Sequence, residues 1–352
     1  MKISVRSFAK INLGLQIGPL RPDGFHELRT VYQTIALHDV VRVSVGRGSG
    51  IEIRCEDPRV PLDSTNTCYR TVERAMGALK ARGRIVIEIE KKLPVQGGLG
   101  GASGNAAAAV FALENALRRQ LPGPMRLRIA AEVGSDLPLF LIGGTVLGGG
   151  HGEEVYPLPD LPAMPCVIAL PEIAVSTPKA FSDWDTNVAE RGSAWTGEGP
   201  HGHVTSAGFT IRNTAKLTNS TPSDRMLEFS REISAWLTAA SGEGVRRSGV
   251  SAKGGGRAEN LLLDLVRTGI ENDFEKVVFP KHPELRGVKR VLEGAGALYT
   301  SLSGSGSAVY GLFGSRERAA AAAKKLEKHG TRAVITSTLK RRQYWNRLQL
   351  LN

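Results

Sequence analysis

Between a strand-like run, Ile85-Val86-Ile87-Glu88-Ile89-Glu90, and an alanine-rich helical run at residues 106–117, the chain reads Leu93-Pro94-Val95-Gln96-Gly97-Gly98-Leu99-Gly100-Gly101-Ala102-Ser103-Gly104-Asn105-Ala106. A strand, a glycine loop and a helix in that order offer free backbone N–H groups and the positive end of a helix to an anion. Glycine lets the main chain come close to a phosphate, and Ser103 and Asn105 are residue types that cap a helix start. The pattern predicts phosphate binding by Pro94 through Asn105; the alternative reading is a flexible turn ahead of a helix. No Gly-Lys-Ser/Thr closes the loop, which excludes a Walker A loop. Ser103 stands where a dinucleotide fingerprint needs its third glycine. The phosphate binder is of another type.

The chain has 352 residues, enough for two domains, and its 41% hydrophobic and 23% charged content places it among globular proteins. No apolar run is long enough to span a bilayer, and the first residues lack a signal-peptide core, so no membrane partner is expected. Cys55, Cys68 and Cys166 are scattered, without Cys-x-x-Cys pairing or a histidine at ligand spacing. A reducing, cytoplasmic location is the expectation. The net charge of +12 suits anionic ligands, yet the basic residues are spread along the whole chain, and only Lys340-Arg341-Arg342 is dense. Without an interleaved aromatic platform no nucleic-acid partner is expected. A non-catalytic nucleotide- or RNA-binding protein is the rival class.

Along the N-terminal half, strands and helices alternate. Residues 3–7 and 9–17 read as two strands, the second with Ile11, Leu13, Leu15 and Ile17 alternating. Pro22-Asp23-Gly24 is a turn, residues 28–36 a short strand or helix, and 40–45 and 51–54 strands. Residues 66–81 have helical character, with Val72, Ala75, Met76 and Leu79 on one face. A helix at 125–133 and a glycine-rich hairpin at 143–152 follow, and the proline-rich 157–165 marks a domain boundary. Strand structure resumes at 166–170. Residues 184–256 are rich in Gly, Ser and Thr and read as a loop or partly disordered insertion, apart from a helical piece at 225–237. Regular structure returns at 260–268, 283–293 and 297–302. A second glycine loop, Ser303-Gly304-Ser305-Gly306-Ser307, leads into 308–313, an amphipathic helix at 316–329 and a strand at 333–338.

Four segments share one resemblance: Ala9-Lys10-Ile11-Asn12-Leu13, Arg21-Pro22-Asp23-Gly24-Phe25-His26-Glu27-Leu28, the glycine loop, and Gly134-Ser135-Asp136-Leu137-Pro138-Leu139-Phe140. In order and spacing they resemble the GHMP kinases, which phosphorylate small hydroxyl-bearing metabolites with ATP. Within that superfamily they are similar to the branch acting on a cytidine-diphosphate-linked methylerythritol in the non-mevalonate isoprenoid pathway. Gly150-His151-Gly152-Glu153-Glu154, Ser176-Thr177-Pro178 and Ser303-Gly304-Ser305-Gly306 have counterparts there too. The resemblance covers the N-terminal half well and the C-terminal half patchily. It implies an α+β, two-domain GHMP kinase fold: a ribosomal-protein-S5-domain-2-like domain at 1–160, and a ferredoxin-like α/β sandwich at 161–352 that carries the insertion. The active site would lie in the cleft between them. ATP is the implied co-substrate, Mg2+ its companion, and the 2-hydroxyl of the cytidine-diphosphate-linked substrate the acceptor, in a monomer or homodimer. A homoserine- or mevalonate-type GHMP kinase is the nearest rival.

The resemblance also implies roles. Asp136 follows a Gly-Ser turn and precedes Pro138, so it sits at an element boundary, where it can accept the proton of the acceptor hydroxyl or serve as an orienting charge; a turn-capping aspartate is the plain alternative. Lys10, on an otherwise apolar strand, would keep that carboxylate ionised and stabilise the transferring phosphoryl group; a solvated edge lysine is the alternative. Asn12 projects to the same face by the two-residue strand period. Phe25 offers a stacking face to a pyrimidine and His26 a hydrogen bond to its edge, unless they are a core phenylalanine and a turn histidine. Phe25 stands where a tyrosine is usual, and Thr177 resembles a residue of the same base pocket. In the loop, Gln96 replaces a small residue and Gly104 a serine, leaving Ser103 as the hydroxyl for phosphate or metal. No acidic metal ligand is identifiable. The second glycine loop is expected beside the first, or else as a plain turn between strands.

Overall fold

In the computed structural model the described residues are 2–193 and 271–348. The helical piece expected at 225–237 and the segment 260–268 lie outside them. Two long strands form the spine of the molecule: β1 (Lys2–Leu20) and β2 (His26–Gly46), an antiparallel pair joined at the Pro22-Asp23-Gly24 turn. Each was expected as two shorter pieces. The break falls where the ladder is irregular. Ala36 and Leu37 of β2 have no counterpart between the Phe8–His38 and Ala9–Ile35 pairs, and Leu13 is an extra residue of β1 between Asn12 and Gly14. Such bulges interrupt the period-2 pattern without ending the strand.

The far half of β2 pairs with β4 (Arg84–Glu90), which runs parallel to β3 (Ile51–Cys55). The near half pairs with β5 (Thr145–Gly149), hairpinned to β6 (Glu154–Pro157). These six strands make the first sheet. Three helices cover one of its faces: α1 (Thr67–Ala78), α2 (Gly101–Leu117) and α3 (Gly123–Val133). Asn66 caps α1 by accepting from the Cys68 N–H at 2.8 Å. Helix α2 is buried at every residue from Gly104 to Glu114, as an alanine-rich, nearly all-apolar sequence requires.

The second sheet is antiparallel, ordered β10-β7-β9-β8, from β7 (Pro165–Leu170), β8 (Tyr299–Leu302), β9 (Val309–Leu312) and β10 (Arg332–Ser337). Its two faces bury different residues of one strand. Cys166 and Ile168 of β7 pack with Ile11, Leu13 and Ile35 between the sheets, while Val167 and Ala169 face the helices. Those helices are α4 (Thr177–Ser193), α5 (Glu275–Lys281), α6 (Pro283–Gly294) and α7 (Arg316–Lys328). Each Leu or Ile so enclosed contributes roughly 1.5–3 kcal/mol. Helix α4 corrects the expectation of irregular structure from Trp184: residues 184–193 continue the helix, because Ala180 and Trp184, one turn apart, are buried against Val167 and Phe274. The last helix, α8 (Arg341–Leu348), returns to the first sheet and seats Tyr344 beside Phe8. Among the described residues no helix is long and apolar enough to cross a membrane.

Candidate active site

The glycine loop leaves β4 through an anchored junction. The fully buried Asp39 carboxylate accepts the N–H groups of Lys92 and Leu93 at 2.6 and 2.7 Å and pairs with the Lys91 ammonium. From there the chain turns into α2 at Gly100, whose left-handed φ of +69° makes it the residue before the first helical turn. The helix therefore begins five residues earlier than expected, and Ser103 and Asn105 lie inside its first turns instead of capping it. Gly104 also departs from expectation. It does not face the loop's cleft but presses on β1, where a Cβ would come within 2.9 Å of the Phe8 carbonyl oxygen and of Ser7 Oγ. Its lack of a side chain serves helix–strand packing.

The second glycine loop does lie against the first. Ser303 Oγ donates to the Gly98 carbonyl at 3.0 Å, and the Ala308 N–H reaches the Gly97 carbonyl at 3.3 Å. A Cβ on Gly98 would stand 1.9 Å from the Ser303 oxygen, and Gly98 has φ +72°, so only glycine fits the junction. Asn272 holds the second loop from behind, donating to the Leu302 and Gly304 carbonyls at 2.8 Å.

Two clefts meet at these loops. The first, about 330 Å³, is lined by Pro94 through Ser103 and by Asn105, with Arg59, Asn66, Thr67 and Lys91 on its other walls. The second, about 720 Å³, contains Lys10, Asn12, Phe25, His26, Asp136 and Thr177 together with Tyr32, His151, Phe181 and Asp185. Gly98 and Ser103 line both. Residues from widely separated stretches of the sequence converge on the larger cavity.

At its floor Lys10 Nζ lies 3.3 Å from Asp136 Oδ2 and donates to Asn12 Oδ1 at 2.6 Å. Asn12 in turn donates to Thr30 Oγ1 at 2.8 Å, which donates to the Gly14 carbonyl at 2.7 Å. The chain of bonds fixes the amide so that its oxygen faces the ammonium. Lys10 is 3% exposed, whereas the Asp136 side chain is 31% exposed, so the carboxylate is the more open of the pair. The Lys10 backbone N–H donates to the Leu99 carbonyl at 3.0 Å, which ties β1 to the glycine loop. Tyr32 donates to Asp136 Oδ1 at 3.0 Å. Burial first, and then the Asp136 charge, push the Tyr32 phenol well above its usual range, so it remains a donor.

The rim is aromatic. Phe25, 56% exposed, stacks on His151 at a centroid distance of 4.9 Å. His151 is hydrogen-bonded to Ser135 Oγ at 2.8 Å, next to Asp136. His26 lies parallel to Phe181 at 5.4 Å, its Nδ1 donating to the Gly18 carbonyl at 3.0 Å. Thr177 Oγ1 bonds Ser305 Oγ at 2.7 Å and so joins α4 to the second glycine loop.

Tyr32, His151, Phe181, Asp185 and Lys91 were not singled out from sequence. Thr177, Phe181 and Asp185 recur every four residues, a helical stripe that was readable once α4 is recognised. His151 lies in the Gly150–Glu154 segment, whose pattern alone gives the imidazole no role. Tyr32 carries no such signal, since a tyrosine on a strand ordinarily reads as core.

A family model described as GHMP kinases N terminal domain matches residues 65–144, and one described as GHMP kinases C terminal matches residues 257–332. A 4-diphosphocytidyl-2-C-methyl-D-erythritol kinase of Solibacter usitatus is 35% identical over 97% of this chain and 92% of that protein. One of Acaryochloris marina is 32% identical, with 92% and 91% covered. A crystal structure of 4-(cytidine 5'-diphospho)-2C-methyl-D-erythritol kinase superposes with a TM-score of 0.64 at 25% identity, over 96% of this chain and 99% of that one. A homoserine kinase from Cytophaga hutchinsonii has the same fold, with a TM-score of 0.66 at 20% identity and 96% and 95% covered.

Proposed function

The chain belongs to the 4-diphosphocytidyl-2-C-methyl-D-erythritol kinases, a family of GHMP kinases, and from that premise we propose that it transfers the γ-phosphoryl group of ATP to the 2-hydroxyl of 4-diphosphocytidyl-2-C-methyl-D-erythritol. One observation supports the reading above others. The cavity that holds the Lys10–Asp136 pair shares Gly98 and Ser103 with the cleft of the glycine loop, so a hydroxyl in one meets a terminal phosphate in the other.

In this reading the acceptor hydroxyl oxygen attacks the γ-phosphorus, the bond to the ADP oxygen breaks, and the hydroxyl proton passes to Asp136. Tyr32, bonded to Oδ1, orients the carboxylate towards the hydroxyl. Lys10, 3.3 Å from Asp136 Oδ2, stabilises charge on the phosphoryl oxygens as it develops. Phe25 and Phe181 offer ring faces to the cytosine and His26 an edge, while Thr177 and Ser305 stand where the diphosphate passes the second loop. The glycine loop and the start of α2 receive the triphosphate.

Among the described residues no cluster of three or more His, Cys, Asp or Glu side chains can cage a metal. The donors at the junction, the Ser103 hydroxyl and the Asp136 carboxylate, fit an ion carried mainly by the phosphates, with Ser103 as its protein contact. Bound there, Mg2+ would neutralise the triphosphate.

The test is coupled ADP release with the cytidine-diphosphate-linked methylerythritol, homoserine and mevalonate as acceptors. Turnover with the first alone, competed by CDP, is expected. ATP binding without ADP release from it, or turnover of homoserine or mevalonate, would overturn the reading.

A further inference from the structure

The segment that carries Asp136 is held by a helix from the opposite end of the sequence. Asp136 and Leu137 lead into a one-turn 3-10 helix, Pro138–Leu141, which Ile142 and Gly143 follow. A helix end leaves carbonyl groups that no N–H of the helix itself can reach. Here α8 supplies the donors. Tyr344 Oη donates to the Phe140 carbonyl at 2.6 Å, Trp345 Nε1 to the Ile142 carbonyl at 2.9 Å, and Arg341 Nε to the Gly143 carbonyl at 3.2 Å. Tyr344 also touches the other half of the site. Its ring, 2% exposed, lies 5.4 Å from that of Phe8, which precedes Lys10 on β1. The Phe140 side chain completes the link. A Cβ on Gly100 would stand 2.9 Å from Phe140 Cζ and 3.0 Å from Lys10 Cγ, so the phenyl ring and the lysine stem close on one point at the start of α2. A single phenol thus spans the strand that bears the ammonium and the turn that bears the carboxylate.

We infer that Tyr344 is a positioning residue of this site: acting through Phe140, it sets the separation of Asp136 from Lys10, so that α8, which lines neither cleft, tunes the rate of phosphoryl transfer. The inference rests on the proposed function for the reaction concerned. Close-packed interiors pass displacements on because they hold few voids to absorb them, and both rings here are buried. Loss of the phenol hydroxyl strips the Phe140 carbonyl of this donor and loosens the turn behind Asp136. The 3.3 Å between Lys10 Nζ and Asp136 Oδ2 is then no longer fixed from outside the cavity, and a misplacement of about 1 Å at reacting groups can cost about a hundredfold in rate. Trp345 gives the contrast. It holds a carbonyl of the same turn, but its indole is 38% exposed and its ring neighbours are Phe111 and Tyr344.

The test is steady-state kinetics of Tyr344→Phe, Phe140→Leu, their double variant and Trp345→Phe in the full chain, at a temperature where circular dichroism shows each to be folded. Tyr344→Phe should lower kcat about three- to tenfold, the range of one neutral hydrogen bond, with both KM values within about twofold of the wild type. The double variant should lose less than the product of the two single losses, as residues acting in one chain of contacts do. Trp345→Phe should lower the melting temperature to a similar extent while keeping kcat within about twofold. An unchanged kcat in Tyr344→Phe, an equal fall in Trp345→Phe, or single losses that simply multiply would overturn the assignment. If Phe140→Leu does not fold, the comparison of Tyr344→Phe with Trp345→Phe decides. Amide hydrogen exchange supplies a reading that needs no turnover. Residues 134–143 should exchange about three- to tenfold faster in Tyr344→Phe, with β4 at its wild-type rate, and no change at 134–143 would contradict the inference. A wild type that releases no ADP refutes the proposed function, and exchange then decides on its own whether Tyr344 holds the turn.

Discussion

Asp136 has two unlike neighbours, and the difference between them defines its work. The ammonium of Lys10 at 3.3 Å stabilises its charge, while the Tyr32 hydroxyl at 3.0 Å fixes its rotation. Removing the second without the first separates orientation from electrostatics. Tyr32→Phe should lower kcat about ten- to a hundredfold, the effect of losing one hydrogen bond to a charged group, with the KM for ATP unchanged in steady-state kinetics. At this scale the sequence was informative wherever a polar residue stood in an apolar setting. Lys10 and Asn12 interrupt an alternating strand, and Asp136 interrupts a turn before an apolar run. Tyr32 was not legible, because its apolar ring belongs to the core as well as to the site: it is 2% exposed and packs with the first core while its hydroxyl reaches Asp136. His151 escaped for a related reason, since its partners Phe25 and Ser135 are distant in the chain and meet only after folding.

Among the elements, the two glycine loops behave as one. The close approach of Gly98 to Ser303 lies where the glycine-loop cleft meets the larger cavity, and it tolerates no Cβ. Gly98→Ala should therefore destabilise the fold by roughly 2–4 kcal/mol in chemical denaturation, from left-handed backbone strain together with overpacking. In whatever protein remains folded, it should raise the KM for ATP. Element type was readable from pattern for β4 and α7, whose periods are uninterrupted, and for β7, a short continuous apolar run. It was only half readable for β1 and β2, where bulges shift the alternation and make one strand look like two. Helix α4 was obscured because its cavity-lining stripe mixes Thr177, Phe181 and Asp185, so the usual contrast of apolar and polar faces is blurred. The start of α2 was misplaced because a capping side chain was expected where a left-handed Gly100 does the turning.

For the molecule as a whole, the larger cavity depends on two sheets sharing the layer that contains Ile11, Ile35, Ile168 and Tyr310. Tyr310 donates from that layer to the Asn12 carbonyl at 2.6 Å, and Tyr299 donates to the Leu13 carbonyl at 2.7 Å. Four of the six tyrosines, Tyr32, Tyr299, Tyr310 and Tyr344, are pushed by burial well above the usual phenol range. The folded state thus holds these protons more tightly than the unfolded chain, so their contribution is intact below about pH 10, the ordinary phenol value, and is lost as pH climbs above it. Phenolate absorbance from these four should appear only together with the loss of far-ultraviolet ellipticity in an alkaline titration; their ionisation in a still-folded protein would contradict the packing described. That the cavity exists to bring Asp136 against a hydroxyl beside the terminal phosphate is tested most directly by the kinetics of Asp136→Asn with the cytidine-diphosphate-linked substrate. A fall in kcat of about two to four orders of magnitude, with ATP binding retained, is the predicted result. A variant that turns over within a few-fold of the wild type would contradict it.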